Sequence, residues 1–346
     1  MPTAIPPPSL MGQAYRAPPG PRSLAAESPS RWDHRRMRRL TALLAAGLVV
    51  SVVAASCGRA EARREPADSP RAASSSDATT SPQADRRLSS PLPEPDAWIP
   101  RAPDRLAPAL DATTRSLRSA IDRWTTEGDV SSGEAPLDVQ LLALYQQRIY
   151  RMLARDPALA DDVVARLSSS VAKEARINVA AGSNLLSLAS PVSRPSLIRT
   201  QPPEPAGVLL GFYREAEDRF AVAWQVLAAV NYTESKFGRV VSASSAGAQG
   251  PMQFIPSTWA AYGLGGDVHD PHDAILGAAN YLHASGAPGN YRVALYHYNP
   301  VPAYVDAVMR YARQMTRDPR TFYAYYNWQV FVLTKHGELR LTGPGL

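Results

Sequence analysis

Residues 219–253 read RFAVAWQVLAAVNYTESKFGRVVSASSAGAQGPMQ, and this stretch decides the predicted fold. It is apolar nearly all round from Phe220 to Val230, which predicts a helix that is buried on every side. Glu234 follows four residues later, and Gly238 is the expected C′ residue of that helix. The pattern therefore places a carboxylate in the last turn of a core helix, just ahead of a glycine-rich loop.

Glu234 is the first candidate for chemistry. Burial disfavours a charged carboxylate, and the negative end of the helix dipole disfavours it further. Both effects raise the pKa of Glu234 towards neutrality, where a carboxyl group can donate a proton as a general acid. The alternative is a solvated glutamate at a helix end, which is the ordinary situation for this residue type.

Length and charge limit the possible classes of protein. The chain has 346 residues, enough for two domains of ordinary size, and a net charge of +6. Its arginines are scattered and are not interleaved with aromatic residues, so we expect no nucleic-acid partner. The mild positive charge is compatible with an anionic cell envelope.

The N-terminal part predicts export. An apolar run from Leu40 to Ala55 follows a cluster of arginines and has the proportions of a secretory signal rather than a transmembrane helix. The run ends at Ala-Ser-Cys57-Gly, which resembles a bacterial lipobox, so Cys57 is the predicted site of lipidation. The alternative is an ordinary cleavage site beside an incidental cysteine. The segment from Met37 is a well-proportioned signal by itself, and we hypothesise that translation starts there.

Two segments separate this leader, residues 1–57, from the Glu234 helix and the motifs that follow it. Residues 58–103 are rich in Pro, Ser, Arg, Asp and Ala and poor in large apolar side chains, which predicts a disordered linker. Residues 104–204 have helical periodicity and form a predicted helical scaffold, with a role in binding partners as the alternative. The predicted helices there are Leu110–Trp124, Leu137–Ala154 and a third from Pro157, capped by Asp156, to about Ile177, and Leu185–Pro205 is a predicted connector.

The chain downstream of Pro205 begins with a predicted short helix, Ala206 to Ala216, ahead of the Glu234 helix. The small residues of 242–250 allow a backbone to lie close to a flat ligand. Near the C-terminus, two strand-like runs flank Lys335-His336-Gly337 and predict a hairpin. The aromatic run 322–328 is expected to pack against the rest of the protein, and extension of a sugar-binding groove is the alternative.

Several motifs occur in a fixed order between residues 206 and 316 and resemble the lytic transglycosylase domain of bacterial peptidoglycan remodelling. The matching segments are Glu234-Ser235, Gly250-Pro251-Met252-Gln253-Phe254, Pro256-Ser257-Thr258-Trp259, Asp270-Pro271-His272-Asp273-Ala274-Ile275, Ala278-Ala279-Asn280-Tyr281-Leu282, Ala294-Leu295-Tyr296-His297-Tyr298-Asn299 and Tyr304-Val305. They look closest to the membrane-bound murein transglycosylases. The resemblance implies a lysozyme-like fold.

The resemblance also implies roles for individual residues. Glu234 matches the sole catalytic acid and base, and Ser244 matches a serine near the reacting sugar. Met252 and Gln253 match residues that line the groove and contact N-acetyl groups. The match also places the pair Tyr298-Asn299 beside the catalytic glutamate. For Met252 and Tyr298, core packing is the alternative.

The implied mechanism needs one carboxylate. Glu234 would protonate the leaving glycosidic oxygen, and the 6-hydroxyl of muramic acid would then close a 1,6-anhydro ring, with Glu234 as base. Ordinary glycosidases use two carboxylates, so a muramidase that recruits an aspartate is one alternative. A non-catalytic wall-binding protein is another.

Three aspartates are candidates for a second carboxylate, namely Asp267, Asp270 and Asp273. Asp270 and Asp273 are better explained as the N-cap and N3 residues of a helix. A metal site that combines them with His269 and His272 is the alternative. We predict no metal, because the capped helix accounts for these residues and no EF-hand pattern occurs.

Taken together, these patterns predict a mainly α protein with a lysozyme-like helical catalytic domain at residues 205–316. An N-terminal helical region precedes it, and residues 317–346 form a tail with a short β-hairpin. We expect a monomeric, membrane-anchored lipoprotein of the cell envelope, or alternatively a secreted protein, that acts on peptidoglycan glycan strands without a cofactor.

Overall fold

The computed structural model describes residues 92–346. The leader, the start at Met37, the lipidation site Cys57 and most of the linker lie outside this part of the chain and stay predictions. Within residues 92–346, no helix combines the length and the apolarity that a membrane crossing requires.

The described chain is mainly helical, which confirms the predicted fold class. The helices are α1 Pro103–Glu127, α2 Leu137–Leu153, α3 Pro157–Val164, α4 Ser169–Leu188, α5 Ala206–Phe220, α6 Trp224–Ser235, α7 Pro256–Tyr262, α8 Pro271–Ala284, α9 Tyr291–Tyr298, α10 Pro302–Arg317 and α11 Arg320–Tyr326. A two-stranded antiparallel sheet follows, with β1 Phe331–Thr334 and β2 Gly337–Arg340.

The last residues of the predicted linker differ from a disordered segment. The Arg148 side chain of α2 donates hydrogen bonds to the carbonyl oxygens of Pro95 and Ala97. The Tyr145 hydroxyl donates to the carbonyl of Trp98 at 3.3 Å. Residues 95–98 are therefore tied to α2.

The third predicted helix is divided in two. Asp156 caps α3 as predicted, since its side chain accepts a hydrogen bond from the amide of Leu159 at 3.1 Å. The helix nevertheless ends at Val164, and α4 starts after Ser168. Asp111 of α1 accepts hydrogen bonds from both the amide and the hydroxyl of Ser168, a tertiary contact that local periodicity does not encode. Helix α4 continues to Leu188, so the connector starts after this residue and not at Leu185 as predicted.

The core helix starts later and ends earlier than the sequence predicts. The helix that precedes it, α5, runs through Phe220, and Ala221 is left-handed with φ 54°, so α6 starts at Trp224. At the other end, Lys236 is the C-cap with φ 56°, and Gly238 lies two residues beyond it. The predicted burial is confirmed, because the side chains from Leu227 to Val230 are fully enclosed.

The hydrophobic core continues across the predicted domain boundaries. One cluster of buried side chains extends from Leu106 in α1 to Trp328 after α11, and α10 packs against both α4 and α6. Phe322 and Tyr325 of α11 belong to this cluster and are almost fully buried, which favours packing as the role of the aromatic run. The domain limits themselves stay predictions.

The C-terminal hairpin is fixed to α2. Thr334 pairs with Gly337 at its turn, and Gly337 takes the positive φ of 114° that the turn requires. Just before β1, the Gln147 amide donates to the carbonyl of Gln329 at 2.9 Å and accepts from its N–H at 2.8 Å. Arg151 of α2 forms an ion pair with Glu338 of β2. These contacts hold the hairpin beside the end of α6.

Candidate active site

A cleft of about 150 Å³ lies at the C-terminal end of α6. One wall consists of residues from the end of α6 and from the loop after it. The opposite wall consists of residues from α2 and α4, and β1 with the residues before it completes the enclosure. Glu234 therefore faces a cleft that is built from widely separated parts of the chain.

Glu234 is 9% exposed. The Tyr304 hydroxyl of α10 donates a hydrogen bond to its Oε1 at 2.6 Å. Burial raises the pKa of Glu234 to about 8, although the Tyr304 hydrogen bond and the positive charge of Lys236 act in the opposite direction. A carboxyl group with this pKa carries its proton at neutral pH, as a general acid must.

Glu234 is the sole acidic residue among the described side chains that line this cleft. The basic side chains there are Arg151 and Lys236. A hydrolytic glycosidase ordinarily uses two carboxylates. The described residues that line this cleft include only one, that of Glu234.

The loop after α6 brings Ser244 and Gln253 into the same cleft as Glu234. The Ser244 hydroxyl accepts hydrogen bonds from the amides of Ala246 and Ala248, which fixes the turn of the loop. Gln253 is left-handed with φ 51°, and its amide donates to the carbonyl of Gly250 at 2.9 Å. An L-residue in this conformation is strained and is held by its surroundings, a feature that recurs at functional sites.

Met252 lies on the other side of that loop. Its side chain is fully buried, and its sulfur accepts a hydrogen bond from the Asn231 amide at 3.1 Å. The side chain is therefore enclosed by protein, which differs from the groove-lining role that the resemblance implies.

Tyr298 supports this loop from α9. Its hydroxyl donates a hydrogen bond to the carbonyl of Met252 at 2.6 Å. Its pKa is raised well above the usual range by burial and by the nearby charge of Glu234. Asn299 is the C-cap of α9, and its amide N–H donates to the carbonyl of Leu295. Tyr298 is thus near enough to Glu234 to feel its charge, but neither Tyr298 nor Asn299 is among the residues that line the cleft.

The sequence analysis missed three residues of this site. Tyr304 appeared only as part of a matching motif, and its hydrogen bond to Glu234 depends on the packing of α10 against α6. Lys236 lies two residues after Glu234, and its Nζ donates to the carbonyl of Tyr232 at 3.0 Å. Burial lowers the pKa of Lys236 to about 7. Arg151 comes from the region interpreted as scaffold, where no motif marked it.

The three candidate aspartates lie elsewhere and have structural partners. Asp270 is the N-cap of α8 and accepts from the amide of Asp273 at 3.0 Å. Asp273 accepts from the amide of Asp267 at 2.9 Å. The ligand atoms of Asp270, Asp273 and His272 lie within 4.8 Å of one another. We propose no metal there, because His272 is paired with Glu215 and the carboxylates are already engaged.

We predict that Tyr304→Phe shifts the pH dependence of cleavage. The hydroxyl lowers the pKa of Glu234, so its removal is expected to move the alkaline fall in kcat/KM to higher pH, with a loss of rate of about tenfold or less. The measurement is a pH–rate profile of both proteins. An unchanged profile would contradict a direct effect of this hydrogen bond on the acid.

Residues 212–319 match the family model of the transglycosylase SLT domain. No curated protein and no solved structure matches the chain. The matched segment extends from within α5 to just past α10 and includes Glu234, Ser244, Gln253 and Tyr304. Residues 212–319 are therefore similar to the transglycosylase SLT domain, a family of lytic transglycosylases that act on peptidoglycan.

Proposed function

We propose that the protein cleaves the β-1,4 bond between N-acetylmuramic acid and N-acetylglucosamine and leaves a 1,6-anhydromuramic acid end. The observation that carries this proposal is a single, buried carboxyl group, Glu234, with a pKa of about 8, in a cleft lined by no other acidic side chain of the described chain. One carboxyl group is sufficient only if the nucleophile belongs to the substrate.

The reaction has two proton transfers, both at Glu234. Protonated Glu234 donates its proton to the glycosidic oxygen as the bond from C1 of muramic acid to that oxygen breaks. The resulting carboxylate accepts the proton of the 6-hydroxyl while O6 bonds to C1. Glu234 ends protonated, and no water is consumed. Because O6 and C1 belong to one sugar, orientation replaces a second protein carboxylate.

The neighbouring residues have supporting roles in this proposal. Gln253 and Ser244 line the cleft and are assigned to substrate contact. Tyr304 positions the Glu234 carboxyl group through its hydrogen bond. Tyr298 and Met252 position the loop that carries Gln253, since the Tyr298 hydroxyl bonds the Met252 carbonyl. Asn299 is assigned to the end of α9 beside this loop rather than to the reacting sugar.

Mass spectrometry of the muropeptides that the purified protein releases from isolated peptidoglycan tests the proposal. Products with 1,6-anhydromuramic ends, lighter by one water than reducing-end products, are expected. Reducing-end products would instead support a muramidase. Wall binding without any product would support a non-catalytic wall-binding protein.

Asp270 provides a second test, directed at the muramidase alternative. We predict that Asp270→Asn, which retains a good N-cap, leaves product identity and rate unchanged. Asp270→Ala should lower the free energy of unfolding by about 1 kcal/mol, again without a change of product. The measurements are the product assay and chemical denaturation. A loss of about 100-fold in Asp270→Asn at normal stability would show that this carboxylate takes part in the chemistry.

We also propose that the protein is exported and anchored in the cell envelope through lipidation of Cys57. The lipobox-like sequence and the preceding apolar run support this, as does an SLT domain whose substrate lies in the cell wall. Incorporation of a labelled fatty acid tests it. A Cys57→Ser protein that still takes up the label would contradict the assignment.

A further inference from the structure

Most of the residues that line the Glu234 cleft lie outside residues 212–319, the segment that is similar to the SLT domain. They come from three segments, which together we call the collar: residues 147–154 at the end of α2, residues 178–192 in α4 and just after it, and residues 328–333 before and within β1. The size of the cleft is therefore decided mainly by parts of the chain that the family model does not include.

The three segments of the collar are joined to one another. Hydrogen bonds link them in pairs, from the Ser183 hydroxyl to the Ala154 carbonyl at 2.8 Å, from the Val192 N–H to the Leu333 carbonyl at 2.7 Å, and from the Gln147 amide to the Gln329 carbonyl at 2.9 Å. Each segment is thus bonded to the other two, and the collar forms a continuous wall rather than three separate loops.

The collar is also fixed to the loop that follows α6. The Val241 N–H donates to the Arg199 carbonyl at 3.1 Å, and the Arg199 N–H donates to the Ser242 hydroxyl at 2.8 Å. Apolar side chains of the collar, of the chain that leads to Arg199 and of this loop form a separate buried cluster, namely Val192, Ile198, Val240, Val330 and Val332. Displacement of the wall would expose these side chains to water, which costs free energy.

The enclosed space is small for a polymeric substrate. The cleft has a volume of about 150 Å³, whereas pockets for drug-sized ligands have roughly 300–1,000 Å³. An enzyme that cuts inside a glycan strand must let the strand continue in both directions from the bond that breaks. Because Glu234 and the collar line the same small space, the strand can continue in one direction only.

We propose that the collar blocks one side of the cleft and thereby restricts cleavage to the ends of glycan strands, from which the protein releases disaccharides. This inference rests on the proposed function, because it takes the strand as the occupant of the cleft. The strand alternates two sugars, and only the bond from muramic acid to glucosamine is cleaved. The smallest product of an end-directed reaction is therefore one disaccharide.

The first test follows the length of the products at low conversion. The full chain is incubated with long, uncrosslinked glycan strands, and the products are separated by size. Disaccharides are expected as the only short product from the start, while the remaining strands shorten gradually. Products of all lengths from the start, with a rapid fall in strand length, would overturn the inference.

A cap on the non-reducing end identifies which end the collar holds. Galactose is attached enzymatically to the terminal N-acetylglucosamine, and the release of disaccharides is measured again. Loss of release would show that the non-reducing end enters the collar. Unchanged release of disaccharides would show that the opposite end enters it.

A variant with a detached hairpin tests whether the collar is the cause. Gln147→Ala removes both hydrogen bonds to the backbone of Gln329. Glu338→Lys replaces the carboxylate that pairs with Arg151 and Arg155 by a third positive charge. The protein with both substitutions is expected to release products of intermediate length, which the wild type does not, because the strand can then continue past the acid.

Controls make this comparison specific. Glu127→Lys makes the same change of charge at an exposed position of α1 that does not line the cleft, and it should retain the wild-type product lengths. Limited digestion with trypsin reports detachment, since Lys335 and Arg340 lie in the hairpin. Thermal unfolding shows which variants are folded, and Glu338→Lys alone replaces the double variant if the latter does not fold. Disaccharides alone from a folded variant with a detached hairpin would overturn the role of the collar.

The outcomes separate this inference from the proposed function. Anhydro-ended products of every length would overturn the end-directed reaction and retain the proposed chemistry. Conversely, a protein that releases only disaccharides, but forms reducing ends at each cleavage, would retain the role of the collar and lose the proposed reaction.

Discussion

Replacement of Glu234 by Gln is expected to lower the rate of peptidoglycan cleavage by about 10³-fold or more. The amide has nearly the shape of the carboxyl group but cannot donate or accept the proton that both reaction steps require. Tyr304 can still donate its hydrogen bond to the amide oxygen, so the geometry of the cleft is retained. The measurement is the release of anhydro-ended muropeptides, with wild-type protein as the reference.

The pH dependence of stability provides a control for this variant. Burial raises the pKa of Glu234 from 4.5 to about 8, so the folded protein binds this proton more tightly than the unfolded chain. Its contribution to the free energy of unfolding is therefore fully present below pH 4.5 and is lost as the pH rises through about 8. Glu234→Gln has no proton to lose here. Its free energy of unfolding, relative to that of the wild type, should therefore increase as the pH rises from 4.5 to about 8. Retained cleavage in a folded Glu234→Gln protein would refute every catalytic role given to this residue.

Gly250→Ala is expected to produce the largest loss of stability. A Cβ at this position would overlap the carbonyl oxygen of Val268, and Gly250 has a φ of 72°. The backbone strain of an L-residue and the displacement of a neighbouring carbonyl together are expected to cost about 3 kcal/mol or more in the free energy of unfolding. Chemical denaturation measures this loss. Cleavage should fall as well, because Gly250 accepts the hydrogen bond that orients Gln253.

Gly247 provides the matched control for that effect. It lies in the same loop with a φ of 77°, but an added Cβ would meet no atom within 4 Å. Gly247→Ala should therefore lower the free energy of unfolding by about 1 kcal/mol, which is the strain of an L-residue at a positive φ. Equal losses in the two variants would show that the contact with Val268 is not responsible.

The elements of the fold that local patterns encode were predictable. An apolar run gave the buried helix α6, proline and aspartate at helix starts gave α3 and α8, and alternating residues around Gly337 gave the hairpin. Helix boundaries were less predictable where tertiary contacts decide them. The hydrogen bonds from Ser168 to Asp111 and the left-handed Ala221 are examples, since neither follows from the residues beside them in sequence.

The same distinction applies to the candidate site. Glu234 and its place in the last turn of a core helix follow from sequence, and so does a loop that returns Gln253 to it. The hydrogen bond from Tyr304 and the lining by Arg151, Asn178 and Trp328 do not, because these residues come from elements far away in the chain. Met252 shows the limit of a motif, since it is fully buried whereas its neighbour Gln253, in the same matching segment, lines the cleft.

Because the hairpin that is attached to α2 lies at the end of the chain, the cleft is completed late in synthesis. Residues 328–333 line one side of it, and they are synthesised long after Glu234. A nascent chain that has reached residue 319, where the segment similar to the SLT domain ends, contains Glu234 but neither Trp328 nor the hairpin that Gln147 and Arg151 hold in place. The complete cleft therefore forms only after the hairpin has been made and docked. A protein assembled in this order acquires the full lining of its cleft late in its biogenesis.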